Sequence, residues 1–164
     1  MKKIVLAACM LSLAAGLSFG AQSKEQGRTG IGYNAQLSSD ISSFAVRHWT
    51  KTGLGLEGIF GFAFGNDETK INIGGKILGT IKKETNMRVY GYGLLGLDYY
   101  SFDFAGVSDS DTNIVFGGGL GVEFFLSGLP NLGFGVETGV AYDGGSEVFG
   151  TSAATTSVGI RYYF

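Results

Sequence analysis

The chain has 164 residues, 29 of them glycine and one proline, with 13% aromatic residues and a formal net charge of -2. That length fits one domain. Glycine far above the roughly 7% of average usage, without proline, excludes a collagen-type repeat; the aromatic content excludes a flexible disordered chain, and the near-neutral charge leaves no basic footprint for nucleic acid.

The first residues read as a targeting segment. MKK supplies positive charge, IVLAACMLSLAAGLSF is an apolar stretch, and Ser18 and Gly20 are the small residues expected before a cut. Residues 1–20 are therefore expected to be a signal peptide, followed by a short segment 21–28 and a single domain 29–164. Cys9 sits in a lipoprotein-like Leu6-Ala7-Ala8-Cys9 box, but too few apolar residues precede it, and it reads as an ordinary residue of the apolar stretch. Without it no cysteine remains for a disulfide.

Beyond residue 28 the dominant signal is a period of two. Ile31, Tyr33, Ala35 and Leu37 alternate with Gly32, Asn34 and Gln36, and Phe44 and Val46 with Ala45 and Arg47. Leu54, Leu56, Phe60, Phe62 and Phe64 oppose Gly55, Glu57 and Ala63. Ile71, Ile73, Ile77 and Ile81 oppose Asn72, Lys76, Thr80 and Lys82. The fifth run, MRVYGYGLLGLDYY, is mixed, with Arg88 and Asp98 assigned inward. Phe116, Leu120, Val122 and Phe124 oppose Gly117, Gly119, Gly121 and Glu123; Leu132, Phe134, Val136, Val140 and Tyr142 oppose Gly133, Gly135, Glu137 and Gly139. The eighth run, VGIRYYF, places Val158, Ile160, Tyr162 and Phe164 on one side and Ser157, Gly159, Arg161 and Tyr163 on the other. Each is a strand with two different faces.

The runs are longer than the 5–6 residues commonest in soluble strands, and near the roughly 9–11 needed to cross a bilayer. The bulky row is paired with glycine, small polar and charged residues. A narrow eight-stranded barrel cannot hold all those large side chains inside, whereas lipid on the outside accommodates them. The expected fold is all-β: an eight-stranded antiparallel up-and-down transmembrane β-barrel. The short links KT, KKETN and SGLPN fall at one end, read as periplasmic. SSD, GND, SFDFAGVSDSD and DGGSEVFG fall at the other, read as extracellular, so that Asp103, Asp109 and Asp111 lie in a loop. Trp49, Tyr99, Tyr100, Tyr142, Tyr162 and Phe164 fall near strand ends, where interface aromatics belong.

The signal peptide, the glycine-rich alternation, the RHWTKTGLGLEGIFGF hairpin and the terminal GIRYYF together resemble the OmpA- and OmpX-like small outer-membrane β-barrel family. The resemblance spans essentially everything after the signal peptide. It implies a location in the outer membrane, contact with outer-membrane lipid and lipopolysaccharide, and insertion by the barrel-assembly machinery, with Val158, Ile160, Tyr162 and Phe164 as the assembly signal. A monomer is expected. No periplasmic peptidoglycan-binding domain is read, so tethering to the cell wall is not implied.

Several motifs carry a bland reading beside a functional one. GLGLEG and GYGLLG match G-x-G-x-x-G, but both lie inside strand patterns without the helix a dinucleotide site needs. His48, the single histidine, has no nearby serine–acid arrangement, so no catalytic residue is assigned. The loop acids lack calcium-loop spacing, and neither a metal nor a cofactor is expected. Arg47, Lys76 and Arg161 balance Glu57, Glu123 and Glu137 as inward charges, which a narrow lumen forces to pair. Arg161 is expected to screen Glu123 and Glu137. The reading is a non-enzymatic outer-membrane barrel serving envelope integrity or surface interaction through its loops. A narrow porin-like channel is the second reading, and a lipid-modifying enzyme the least favoured.

Overall fold

A computed structural model describes residues 27–34, 41–104, 107–145, 148–150 and 156–164. The expected signal peptide, Cys9, most of segment 21–28, and Ala35 and Leu37 of the first run lie outside the described residues.

Antiparallel strands run β1 (Arg28–Asn34), β2 (Ser43–Trp49), β3 (Leu54–Phe64), β4 (Glu68–Glu84), β5 (Met87–Phe104), β6 (Val107–Leu126), β7 (Leu129–Asp143), β8 (Val148–Gly150) and β9 (Ser157–Tyr163). Each strand from β1 to β7 pairs with the next, and β9 pairs with both β7 and β1, which closes the ring. The short β8 pairs with β7 at Ala141–Asp143, above the stretch Leu132–Glu137 that holds β9. β8 and β9 thus share one position, and the wall is an eight-stranded, all-antiparallel barrel.

One end carries the start of β1, the end of β9 and the links β2–β3, β4–β5 and β6–β7; the other carries the remaining connections. At the tight end the backbone turns between β2 and β3 with Thr50 N–H bonded to the Leu54 carbonyl at 2.8 Å. Gly53 has φ of 86° there, a left-handed conformation that glycine adopts without a Cβ penalty. The strands are uneven. β3 has 11 residues, whereas β4, β5, β6 and β7 have 17, 18, 20 and 15. At about 3.3 Å per residue, β6 alone exceeds the roughly 30 Å hydrocarbon layer even when tilted. Ser101–Phe104 and Val107–Asp111 of SFDFAGVSDSD are therefore strand rather than loop, the top of the β5–β6 hairpin, paired through Phe104 and Val107. Asp and Ser in that stretch hide the alternation on which the sequence reading relied.

Alternation of burial follows alternation of chemistry. The row Phe44, Val46, Leu56, Phe60, Phe62, Ile73, Ile77, Leu95, Leu120, Val158 and Ile160 is exposed on the outer surface, as is Phe164. Burying one such side chain is worth about 1.5–3 kcal/mol, and a soluble monomer rarely exposes a contiguous patch above a few hundred Å². A continuous belt of this size is the lipid-facing surface of a membrane barrel. A β-bulge between Thr80 and Lys82 departs from the expected pattern. Its extra residue reverses the alternation, so Lys82 points outward beside Val89 instead of sharing the inward row of Lys76 and Thr80.

The interior is richer in aromatics than glycine and charge alone imply. Trp49, expected at the membrane interface, is fully buried inside, and this expectation is corrected. It belongs to the row of Ser43, Ala45 and Arg47, and its ring lies over its cross-strand partner Gly55, where an added Cβ would meet the ring at 2.8 Å. The same arrangement recurs for Tyr163 over Gly30 and Tyr90 over Gly121, both cross-strand pairs. Inner-face glycine thus makes room for a large ring from the neighbouring strand.

Candidate functional site

Six of the charged residues assigned inward, Arg47, Glu57, Lys76, Glu123, Glu137 and Arg161, meet inside the barrel. Each comes from a strand position facing the lumen and is at most 3% exposed. Arg47 is the hub. Its Nε donates to Glu57 Oε2 at 2.7 Å, its Nη2 reaches both Glu57 and Glu137 (2.7 Å to Glu137 Oε1), and its Nη1 donates to the Tyr90 hydroxyl at 3.0 Å. Lys76 pairs with Glu137 Oε2. Arg161 Nη2 donates to Glu57 Oε1 at 2.6 Å, and its Nη1 lies 3.6 Å from Glu123.

Arg161 thus contacts Glu57 and Glu123, and Glu137 lies beyond its direct ion pairs among the described residues. Glu123 and Glu137 occupy diagonal positions on β6 and β7, opposite Gly135 and Gly121. Glu137 is held instead by Arg47, Lys76 and the Tyr90 hydroxyl, which donates to it at 2.6 Å. Glu123 accepts from the Tyr163 hydroxyl at 2.9 Å. Asn34 Nδ2 donates to Glu57 at 3.1 Å. With Asn34 on β1, Arg47 on β2, Glu57 on β3, Lys76 on β4, Tyr90 on β5, Glu123 on β6, Glu137 on β7 and Arg161 on β9, one connected network touches every position of the wall.

Three carboxylates thus face three cations among these six residues, each acid bonded to a second polar group. Burial without water makes such contacts strong and makes a missing partner costly. Aromatic rings pack on the same cations. The Arg47 guanidinium lies 4.9 Å from the Tyr90 ring centre, and that of Arg88, also inside, lies 3.9 Å from the centre of Trp49. Tyr90 and Tyr163 were not foreseen as members. The available signal was their position on the same alternate rows as Arg88 and Arg161, each opposite a glycine.

The remaining candidates lie apart from this network. Val158, Ile160, Tyr162 and Phe164 form the outward row of the last strand, and the Phe164 N–H donates to the Thr29 carbonyl at 3.0 Å. Tyr142 packs outward on its cross-strand partner Phe116, with ring centres 5.2 Å apart, and Tyr99 is half-buried on the outward row. Tyr100 instead takes the row of Tyr90 and Tyr92. It lies on the concave face of the hairpin, with the Lys70 ammonium 5.4 Å from its ring centre, rather than in a lipid-facing girdle. Asp109 and Asp111 share that concave face, opposite Phe102 and Tyr100, while Asp103 alternates to the other face. Among the described residues no three His, Cys, Asp or Glu side chains come together as a metal site. His48 points outward, its Nδ1 3.0 Å from the Thr29 hydroxyl.

No protein-family model matches the chain, and no curated protein matches it in sequence. Solved structures do match. The N-terminal β-barrel domain of Pseudomonas aeruginosa OprF superposes with a TM-score of 0.62 at 10% identity, covering 85% of this chain and 98% of that one. This is the fold of the small eight-stranded outer-membrane β-barrels. Ail, the attachment invasion locus protein of Yersinia pestis, matches this barrel with a TM-score of 0.51 at 18% identity, over 85% of this chain and 99% of that one. Neisserial surface protein A matches with a TM-score of 0.50 at 18% identity, over 84% and 94%.

Proposed function

We propose that the protein is a closed, non-enzymatic outer-membrane barrel that contributes to envelope integrity or surface interaction through its extracellular end. The observation that carries this reading is the lumen: a charge network that reaches every wall position, packed with Trp49, Tyr90 and Tyr163, inside a belt of apolar side chains. A wall held by such a plug serves as a platform rather than a conduit. The tall β5–β6 hairpin is then the extracellular projection, and the tight turns face the periplasm. Two of the similar solved structures are named for attachment and invasion and for the cell surface, which agrees with a role at the exterior.

The test is electrical. Purified barrels in planar bilayers are expected to show little steady conductance, while the same preparation is β-rich, shifts in gel mobility on boiling and fractionates with the outer membrane. A stable, ion-selective open channel would replace the platform with a narrow pore. Turnover of phospholipid or lipid A would point instead to an enzyme.

The last strand supports a second prediction. Deleting Phe164 removes one outward ring and one backbone bond to Thr29. If Val158, Ile160, Tyr162 and Phe164 are read by the assembly machinery, outer-membrane yield in cells falls far more than refolding into detergent. Equal losses in both assays would reduce Phe164 to ordinary lipid-facing burial.

A further inference from the structure

Above the barrel wall, β5 and β6 continue as a hairpin that β7 does not follow. β7 leaves β6 at Asp143, opposite Val115, with one further bond from the Gly144 N–H to the Ile114 carbonyl. Among the described residues no strand pairs with Val107–Asn113 on that side.

Strand geometry fixes which groups face this open edge. The Ile114 carbonyl points to the β7 side, and the Phe125 N–H points to the β5 side, where it bonds Asn86. The β5–β6 register is unbroken between them. Thr112 and Ser110, two and four residues before Ile114, therefore direct their N–H and C=O groups to the open edge. Both N–H groups are occupied by the preceding side chain. Ser110 N–H donates to Asp109 Oδ1 at 2.9 Å, and Thr112 N–H donates to Asp111 Oδ1 at 2.8 Å. Beside them Tyr100, Phe102, Asp109, Ser110 and Asp111 line a cleft of about 170 Å³.

We propose that this edge receives an extended segment of another protein carrying Lys or Arg at alternate positions. A strand added beside β6 places every second side chain on the concave face, next to Asp109 and Asp111, which are two residues apart. Cations there draw the carboxylates off the Ser110 and Thr112 N–H groups and release those donors to the incoming backbone. Tyr100 and Phe102 take the aliphatic stems, and Tyr100 already lies against the Lys70 ammonium. Without a cationic partner the carboxylates keep the edge closed, a use of charge that blocks unwanted strand pairing. A second copy of this chain fits badly, because its own Asp109 and Asp111 would add like charges to the seam. The inference rests on the reading of this end as extracellular and names the partner chemistry it would serve.

The test uses the full barrel in lipid nanodiscs and a synthetic extended peptide with Lys at every second position. Binding is expected, with altered hydrogen exchange at Ser110 and Thr112. Affinity should fall about tenfold or more in Asp109→Asn/Asp111→Asn, as expected when close charge pairs are removed. A peptide N-methylated at the amides facing the barrel should also lose binding. Heat-dependent gel mobility checks that the variant still folds, since both acids stand above the wall. Undiminished binding by the double variant or by the N-methylated peptide, no binding by wild type, or self-association through this edge would each overturn the proposal. Bilayer conductance is read separately, so failure here leaves the closed-barrel reading standing, and a conducting barrel leaves this one standing.

Discussion

Arg47→Met is expected to lower the stability of the folded barrel by about 3–5 kcal/mol, the usual cost of removing one partner from a buried ionic group. Arg47 contacts Glu57, Glu123, Glu137 and Tyr90 from the centre of the lumen, more partners than Lys76 or Arg161 meets in the same network. Its loss leaves Glu57 Oε2 without its closest donor. Adding Glu57→Gln removes the surplus acid and leaves Arg161 facing Glu123 and Lys76 facing Glu137. Urea titration of barrels folded in lipid vesicles should therefore find the double variant more stable than Arg47→Met alone. If the two losses simply add, Arg47 acts by packing against the Trp49 and Tyr90 rings and not by charge.

Gly119→Ala should be among the most damaging of the small substitutions in the wall. A Cβ on Gly119 would lie 2.1 Å from the Thr138 carbonyl oxygen; one on Gly139 would lie 2.3 Å from that of Gly118, and one on Gly117 2.4 Å from that of Val140. Every obstructing oxygen is backbone on the paired strand, so the β6–β7 seam must open to admit a methyl group. Overpacking of this kind costs about 1–3 kcal/mol, occasionally more. Gly58→Ala is the control. Gly58 faces outward with nothing within 4 Å of an added Cβ, and its urea midpoint should stay close to wild type. Similar midpoints for the two variants would show that the seam is more pliable than its geometry indicates.

Alternation made most of the wall legible, because lipid outside and a narrow lumen inside demand opposite chemistries on successive residues. The inward rows of Arg47, Glu57, Lys76, Glu123, Glu137 and Arg161 were readable for that reason. Trp49 was misplaced because its nearness to a strand end was weighed above its position two residues after Arg47. Lys82 was misplaced because a single-residue bulge leaves no mark in the sequence and flips everything after it. Which cation meets which acid was not legible at all. Arg47 reaches across the lumen to Glu137, and Arg161 to Glu57, by tilt and stagger of the strands that sequence spacing does not encode.

The seam between β1 and β9 bears on how the molecule comes to exist. Arg28 donates to the Tyr163 carbonyl across 135 residues of sequence, and Gly30 is paired with Tyr163. The ring cannot shut until the strand that bears Tyr163 has been made, so the first strand of the barrel gains no head start toward its defining contact. Such long-range pairing is slow to form. Until it forms, β1 and β9 each present an unpaired edge ready to join a wrong neighbour. The chain must consequently be kept apart from its siblings until the seam forms, and closure marks the end of that vulnerability.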